Sequence, residues 1–252
     1  MHDFLVHPVN PDLEVRVTRA MPPLSPALEA RIDPIWTAAA ARVEAAGAGK
    51  LFNGQIFSID TFAPGRITGH MTEYRRHIAQ TEENALFGDL GIRSLAACGV
   101  LRRADGIVLG RRAAGAIYQP GMWQLCPAGS VDAGALRADG SMDYQAQLLT
   151  ELQEELGLDP GSVGTVTPLC LVEHPGSHVT DLGMAVTTTL SANAILRAHR
   201  ARGNAEYNPL RIVPVSELPA FISWAGASLV APAPLFLACA GLLPVQSDKP
   251  AS

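Results

Sequence analysis

Glu151-Leu152-Gln153-Glu154-Glu155-Leu156-Gly157-Leu158 is the stretch on which the reading of this chain turns. At about 100° of rotation per residue, Glu151, Glu154 and Glu155 fall at i, i+3 and i+4 and are neighbours on one helical face. Leu148, Leu149, Leu152 and Leu156 form an adjoining apolar stripe, so the helix would bury one side and crowd like charges beside it. Such crowding destabilises a bare helix modestly in water and more strongly where the carboxylates lose solvent. A divalent cation reverses the sign of that effect, and magnesium, a hard ion, takes oxygen ligands and keeps waters for phosphate chemistry. A solvated acidic face would explain the three glutamates equally simply, so the flanking residues decide. Gly157 directly follows Leu156 as a natural helix C-cap. Upstream, Pro127-Ala128-Gly129-Ser130-Val131 follows a strand-like run and forms a tight loop ahead of the helix.

Loop, helix and carboxylates together resemble the Nudix hydrolase superfamily, whose box reads G-x5-E-x7-R-E-U-x-E-E-x-G-U with U aliphatic. Glu151, Leu152, Glu154, Glu155, Gly157 and Leu158 match its second half, and the run Gly121–Gly129 is similar to the usual approach to it. The first half departs from the pattern. Gly129 to Gly157 spans 28 positions, about seven more than the box, which places an insertion within Val131–Met142. Thr150 stands where the family has an arginine, and the glutamate that pairs with that arginine has no clear counterpart, although Asp143 is close. Losing both ends of an ion pair costs less than stranding one buried charge.

The resemblance covers roughly Leu95 to Leu243 and implies an α/β fold: a Nudix α/β/α sandwich with a mixed sheet, preceded by a small α/β amino-terminal domain. The expected division is an extension over 1–94, a hydrolase domain over 95–245 and a flexible tail over 246–252. Within the extension, Leu13–Val17 alternates like a strand, Ser25 caps a helical run that Pro34 breaks, and 55–60 and 66–70 read as strands joined at Pro64-Gly65. A helix is expected from Thr72 or Glu73 through Ile78. Trp36, Leu51-Phe52 and Thr72–Arg76 are similar in layout to Nudix UDP-glucose pyrophosphatases, which also carry an extension and an enlarged box. Beyond 95, strands are expected at 95–101, 107–110, 165–172, 184–190 and 210–213, with helices near 192–200 and 233–242.

The resemblance implies a magnesium-dependent enzyme, with manganese able to substitute, that hydrolyses the pyrophosphate bond of a nucleoside diphosphate linked to another moiety. Glu151 and Glu155, about 6 Å apart on one helix face, are the expected ligands, with the backbone carbonyl of Gly129 as a further one. Glu154 is either a third ligand or the general base. A cation on the phosphate oxygens neutralises charge and lowers the pKa of a bound water. Phosphate also calls for arginine, whose planar fork makes two-pronged contacts. Arg111 and Arg112 are the first candidates, Arg75 and Arg76 the second. Tyr118 and Trp123 could stack on a base or sugar, Trp123 serving equally as core. Glu173, His174, His178 and Asp181 follow a strand, where they would meet a sugar or metal unless simply solvated. Cys126 also suggests the isopentenyl-diphosphate isomerase branch of the fold, but no histidine stands between His77 and His174 to complete that site, so a buried thiol is expected.

The best substrate is a nucleotide sugar such as UDP-glucose, giving UMP and a sugar 1-phosphate. ADP-ribose is the alternative, its marker proline only loosely met by Pro175, and a non-catalytic nucleotide-binding module is the other class. Bulk properties fit a small-molecule enzyme. A net charge of −5 and the absence of any Lys/Arg-rich run argue against nucleic acid. Four dispersed cysteines form no C-x-x-C, which points to reduced thiols and a cytoplasmic protein. The amino terminus lacks the basic start and apolar run of a signal peptide. Leu218–Ser247 carries no charge, but four prolines interrupt it and a buried helix fits better than a membrane span. The family's habits leave a homodimer open.

Overall fold

The computed structural model of the chain describes residues 4–47 and 50–244, so the tail expected over 246–252 lies outside the described residues. Among these residues the larger sheet has eight strands. Its path runs β1 (Leu5–Pro8), β9 (Thr167–Glu173), β10 (Thr180–Thr187), β5 (Leu95–Arg103), β6 (Gly106–Arg112) and β11 (Tyr207–Pro214). Two short strands lie off that path: β7 (Trp123–Leu125) on β6 and β8 (Ala128–Ser130) on β5. The sheet is mixed, since β10 and β5 run parallel while the other pairs are antiparallel.

Side chains alternate across a strand, and β5 shows what that does here. Leu95, Ala97 and Leu101 face a core built with α4 (Tyr144–Leu156) and α5 (Ala192–Arg202), whereas Cys98 and Val100 face one built with α6 (Leu218–Ala225) and α7 (Pro232–Cys239). Helices therefore cover both faces of the sheet, the expected α/β/α sandwich with a mixed sheet. The charge-free stretch that begins at Leu218 forms α6 and α7, each opened by a proline in its first turn. Among the described residues no helix is long and apolar enough to cross a membrane.

The smaller sheet consists of β2 (Glu14–Val17), β4 (Arg66–Glu73) and β3 (Gln55–Ala63), with β2 parallel and β3 antiparallel to β4. It packs into the core on the α4 side through Val15, Phe57 and Ile67. Beside it, α1 (Pro26–Ala45), α2 (Tyr74–Glu82) and the short α3 (Phe87–Leu90) enclose Ile32, Ala79 and Leu86. Ser25 caps α1, accepting from the Leu28 N–H at 3.3 Å. The expected break at Pro34 does not occur, and α1 continues through it. The lost N–H and the ring fall on an exposed side of the helix, where water can serve the freed carbonyl. The next helix begins later than expected, because β4 stays paired with β3 through Glu73.

The inserted residues tie the two sheets together. Met142 N–H donates to the Val15 carbonyl at 2.8 Å, and Val17 N–H donates to the Gly140 carbonyl at 2.9 Å. Arg16 Nη2 donates to the Asp139 carbonyl at 2.6 Å. The amino-terminal residues also supply β1 to the edge of the large sheet.

Candidate active site

Helix α4 is fixed at both ends by its own sequence. Asp143 Oδ1 accepts from the Ala146 N–H at 3.0 Å, so this residue is an N-cap. Gly157 closes the other end at φ 64°, a left-handed conformation that costs glycine little. Leu148, Leu152 and Leu156 are buried, and Glu155 falls on the same stripe, only 1% exposed. Its Oε2 accepts from the Ala128 N–H at 3.0 Å. Burial, then Glu206 and Glu151, push its carboxyl well above the usual carboxylate range.

Glu151 lies one turn back, with Oε1 accepting from Gln147 Nε2 at 2.9 Å. Its carboxylate rests on Gly129 of β8, where a Cβ would overlap Oε1 and the carboxyl carbon. No side chain other than glycine's leaves that space free. Burial, followed by the charges of Glu154, Glu206 and Asp132, raises the Glu151 carboxyl to about 7.

Glu206 joins this pair from a distant part of the sequence. Tyr207 pairs with Arg112 where β11 meets β6, and the Glu206 carboxylate stands 3.3 Å from Arg112 Nη1. Arg112 is further held by donating to the Tyr118 carbonyl at 2.9 Å and to Gln124 Oε1 at 2.5 Å. A cavity of about 250 Å³ is lined by Glu151, Glu155, Glu206, Asp181, Arg112 and Gly129. Among the described residues, four carboxylates thus face one guanidinium. The wall of the cavity formed by the amino-terminal residues is α2, through Tyr74, His77, Ile78 and Thr81.

Several residues expected at the site stand elsewhere. Glu154 is exposed and lines a separate groove with Gln153 and Arg202. It precedes Glu155 by one residue, which turns it about 100° away from that side chain. Arg111 is exposed and donates to the Gly121 carbonyl; consecutive strand residues point to opposite faces, and Arg112 takes the inner one. Arg75 is taken up by Glu73, Glu29 and Asp33, and buried Arg76 by Glu73 and the Pro22 carbonyl. Neither guanidinium is left for a substrate.

Tyr118 does line the cavity. Its hydroxyl is 3.2 Å from His174 Nδ1, whose Nε2 is 2.7 Å from Asp181 Oδ2. His178 instead stacks on Phe87 at 3.4 Å between centroids, and Glu173 meets His7 at 3.5 Å. Trp123 is core, packed edge-on against Phe221. Cys126 is fully buried, and its thiol is pushed up by burial and by Glu155. Glu206, Tyr74 and His77 were not among the site residues expected from the sequence; only the pairing of β11 with β6 and the packing of α2 bring them in.

Among the described residues no three His, Cys, Asp or Glu side chains are drawn tightly enough to form a ready metal cage. The donor chemistry nevertheless fits a hard divalent cation. Buried Glu155 and half-buried Glu151, both with raised pKa values, lie beside backbone at Gly129, where an added Cβ would push the Glu151 carboxylate aside, a cluster that a cation's charge would offset.

No family model matches the chain, and no curated protein matches it. It is similar in fold to solved structures described as Nudix hydrolases. One is the M. smegmatis Nudix hydrolase RenU, at 17% identity and a TM-score of 0.42 over 62% of this chain and 90% of that one. Another is a MutT Nudix hydrolase from Burkholderia pseudomallei, at 18% identity and a TM-score of 0.39 over 57% and 95%. DR0079 from Deinococcus radiodurans is similar at 15% identity and a TM-score of 0.47 over 73% and 98%.

Proposed function

We propose that this chain is a divalent-cation-dependent hydrolase of the Nudix type, cleaving the pyrophosphate bond of a nucleoside diphosphate linked to another moiety. The observation that carries the reading is the seating of Glu151 on Gly129 beside buried Glu155, at the end of the helix that Gly157 terminates. Those two carboxylates and the Gly129 carbonyl would hold Mg2+ or Mn2+, which when bound neutralises phosphate charge and lowers the pKa of water. Water adds its oxygen to one phosphorus while the bridging P–O bond breaks, and the displaced phosphate leaves with that bridging oxygen. Glu206, which lines the cavity on a different element from the helix pair, is assigned here as the base that takes the water's proton. Arg112 orients Glu206 and is the one guanidinium lining the cavity among the described residues.

The best-supported substrate is a nucleotide sugar such as UDP-glucose, giving UMP and glucose 1-phosphate; the support is the enlarged loop and the amino-terminal extension. The test is product analysis with magnesium on UDP-glucose and ADP-ribose, for wild type and Glu155→Gln. Wild-type release of UMP and glucose 1-phosphate is expected. Glu155→Gln should abolish turnover yet fold, since the glutamine oxygen can still accept from Ala128. Near-normal turnover by that variant would move the site elsewhere, and binding without turnover in wild type would make the chain a nucleotide-binding module.

A further inference from the structure

The imidazole of His77 is one of the polar side chains that line the cavity. Its Nδ1 is enclosed and makes no hydrogen bond among the described residues, although leaving such an atom unmet costs on the order of 1–3 kcal/mol. His77 lies on the face of α2 that Tyr74, Ile78 and Thr81 also present to the cavity, at i, i+3, i+4 and i+7 spacing. Thr81 is already engaged, its hydroxyl donating to the His77 carbonyl. Tyr74, one turn away, also borders two adjoining cavities. One of about 730 Å³ is lined mainly by small and aliphatic residues such as Val43, Leu51 and Ile117. The other, of about 340 Å³, holds the exposed ring of Phe52. The carboxylate cavity thus opens beside Tyr74 into space whose lining suits the rest of a nucleotide better than a phosphate.

We propose that His77 is a specificity-determining residue, hydrogen-bonding an uncharged polar group of the nucleoside attached to the diphosphate. The inference rests on the reading of the carboxylate cavity as a diphosphate site and adds to it the part of the ligand that α2 contacts. Burial holds the imidazole down at about 4, so at neutral pH it offers one donor and one acceptor nitrogen and no charge. That suits a ribose hydroxyl or a base edge and gives no advantage to a phosphate, which needs a cation. The extension thereby contributes to the chemistry through α2 and not through Arg75.

The experiment is calorimetric titration with magnesium present, using α,β-methylene-UDP, α,β-methylene-ADP and methylenediphosphonate, which carries the diphosphate alone. His77→Leu is expected to weaken both nucleotide analogues about tenfold, the worth of one buried hydrogen bond, and to leave methylenediphosphonate unchanged. His77→Gln, which restores a donor and an acceptor, should recover most of the loss. Equal losses for the two bases assign the contact to the ribose and unequal losses to the base. A matching loss for methylenediphosphonate, or none for the nucleotides, overturns the proposal. If wild type binds none of the three, the diphosphate reading itself falls. Should His77→Leu fail to fold, His77→Phe keeps the ring volume and carries the same comparison.

Discussion

Glu151→Gln is expected to stabilise the cation-free protein at neutral pH, the reverse of what a buried carboxylate with a hydrogen bond would ordinarily suggest. Glu151 holds its carboxyl at about 7 in the fold against an ordinary 4.5, burial being the main cause. Between those values the folded chain binds more protons at this residue than the unfolded chain, so stability falls as pH rises through the window. Below 4.5 the group is protonated in both states and contributes nothing. Above 7 it is ionised in both, and the full cost of the desolvated, crowded carboxylate is present. At about 1.4 kcal/mol per pH unit the interval amounts to about 3 kcal/mol, trimmed toward about 2 by the residual exposure of the side chain. Glutamine removes the charge and keeps the oxygen that accepts from Gln147.

Urea unfolding in EDTA, at steps from about pH 4.5 to about 8, measures this directly. The difference between variant and wild type should grow by about 2–3 kcal/mol across the window and then level off. Glu155 is also pushed up, but it is present in both proteins and its direct contribution largely cancels. Adding magnesium at about pH 8 should restore much of the wild-type deficit and leave Glu151→Gln unmoved, since a ligand that binds only the native state stabilises it. Parallel pH profiles for the two proteins, or a variant less stable than wild type at the alkaline end in EDTA, would refute the electrostatic account of this cavity.

Two further substitutions separate structure from sequence pattern. Gly129→Ala places a methyl group on the Glu151 carboxylate; the carboxylate must move, costing about 1–3 kcal/mol in urea unfolding and at least about tenfold in magnesium affinity by calorimetry. Glu154→Gln, at an exposed position, should change stability by less than about 0.5 kcal/mol and leave the magnesium-induced rise in melting temperature intact.

The helix of the site was readable because its determinants are local. The leucine stripe, Glu151, Glu155 and Gly157 lie within ten consecutive residues, and 3.6-residue periodicity relates them without tertiary information; the Asp143 cap emerged only with the structure. The same periodicity could not say which of three neighbouring glutamates would turn inward. That depended on the Leu148–Leu156 stripe lying against the sheet, which takes Glu155 with it and leaves Glu154 outside. Arg111 and Arg112 posed a similar ambiguity, settled by which face of β6 meets the cavity. Glu206 was illegible for a different reason: its approach depends on the register of β11 against β6, two strands far apart in sequence. His77 sits in a helix whose sequence suggested arginines as its functional residues, yet those arginines are consumed by Glu29, Asp33 and Glu73.

The charge balance of the cavity bears on how a ligand could enter it. Glu151, Glu155, Asp181 and Glu206 face Arg112 alone among the described residues, and a diphosphate would bring further negative charge into the same low-dielectric space. Such a ligand cannot bind favourably through one guanidinium while the carboxylates are ionised. A divalent cation changes both sides of that balance, offsetting the glutamates and presenting positive charge to the phosphates. By linkage the effect is reciprocal: a diphosphate that binds better with the cation must raise the cation's affinity by the same factor. The raised carboxyl groups add a third participant, because protons and cations compete for the same oxygens. On the proposed reading, an acidic cavity lined by Glu151, Glu155, Asp181 and Glu206 would exclude anions until a cation is in place, with α2 forming the wall that a nucleoside would then meet.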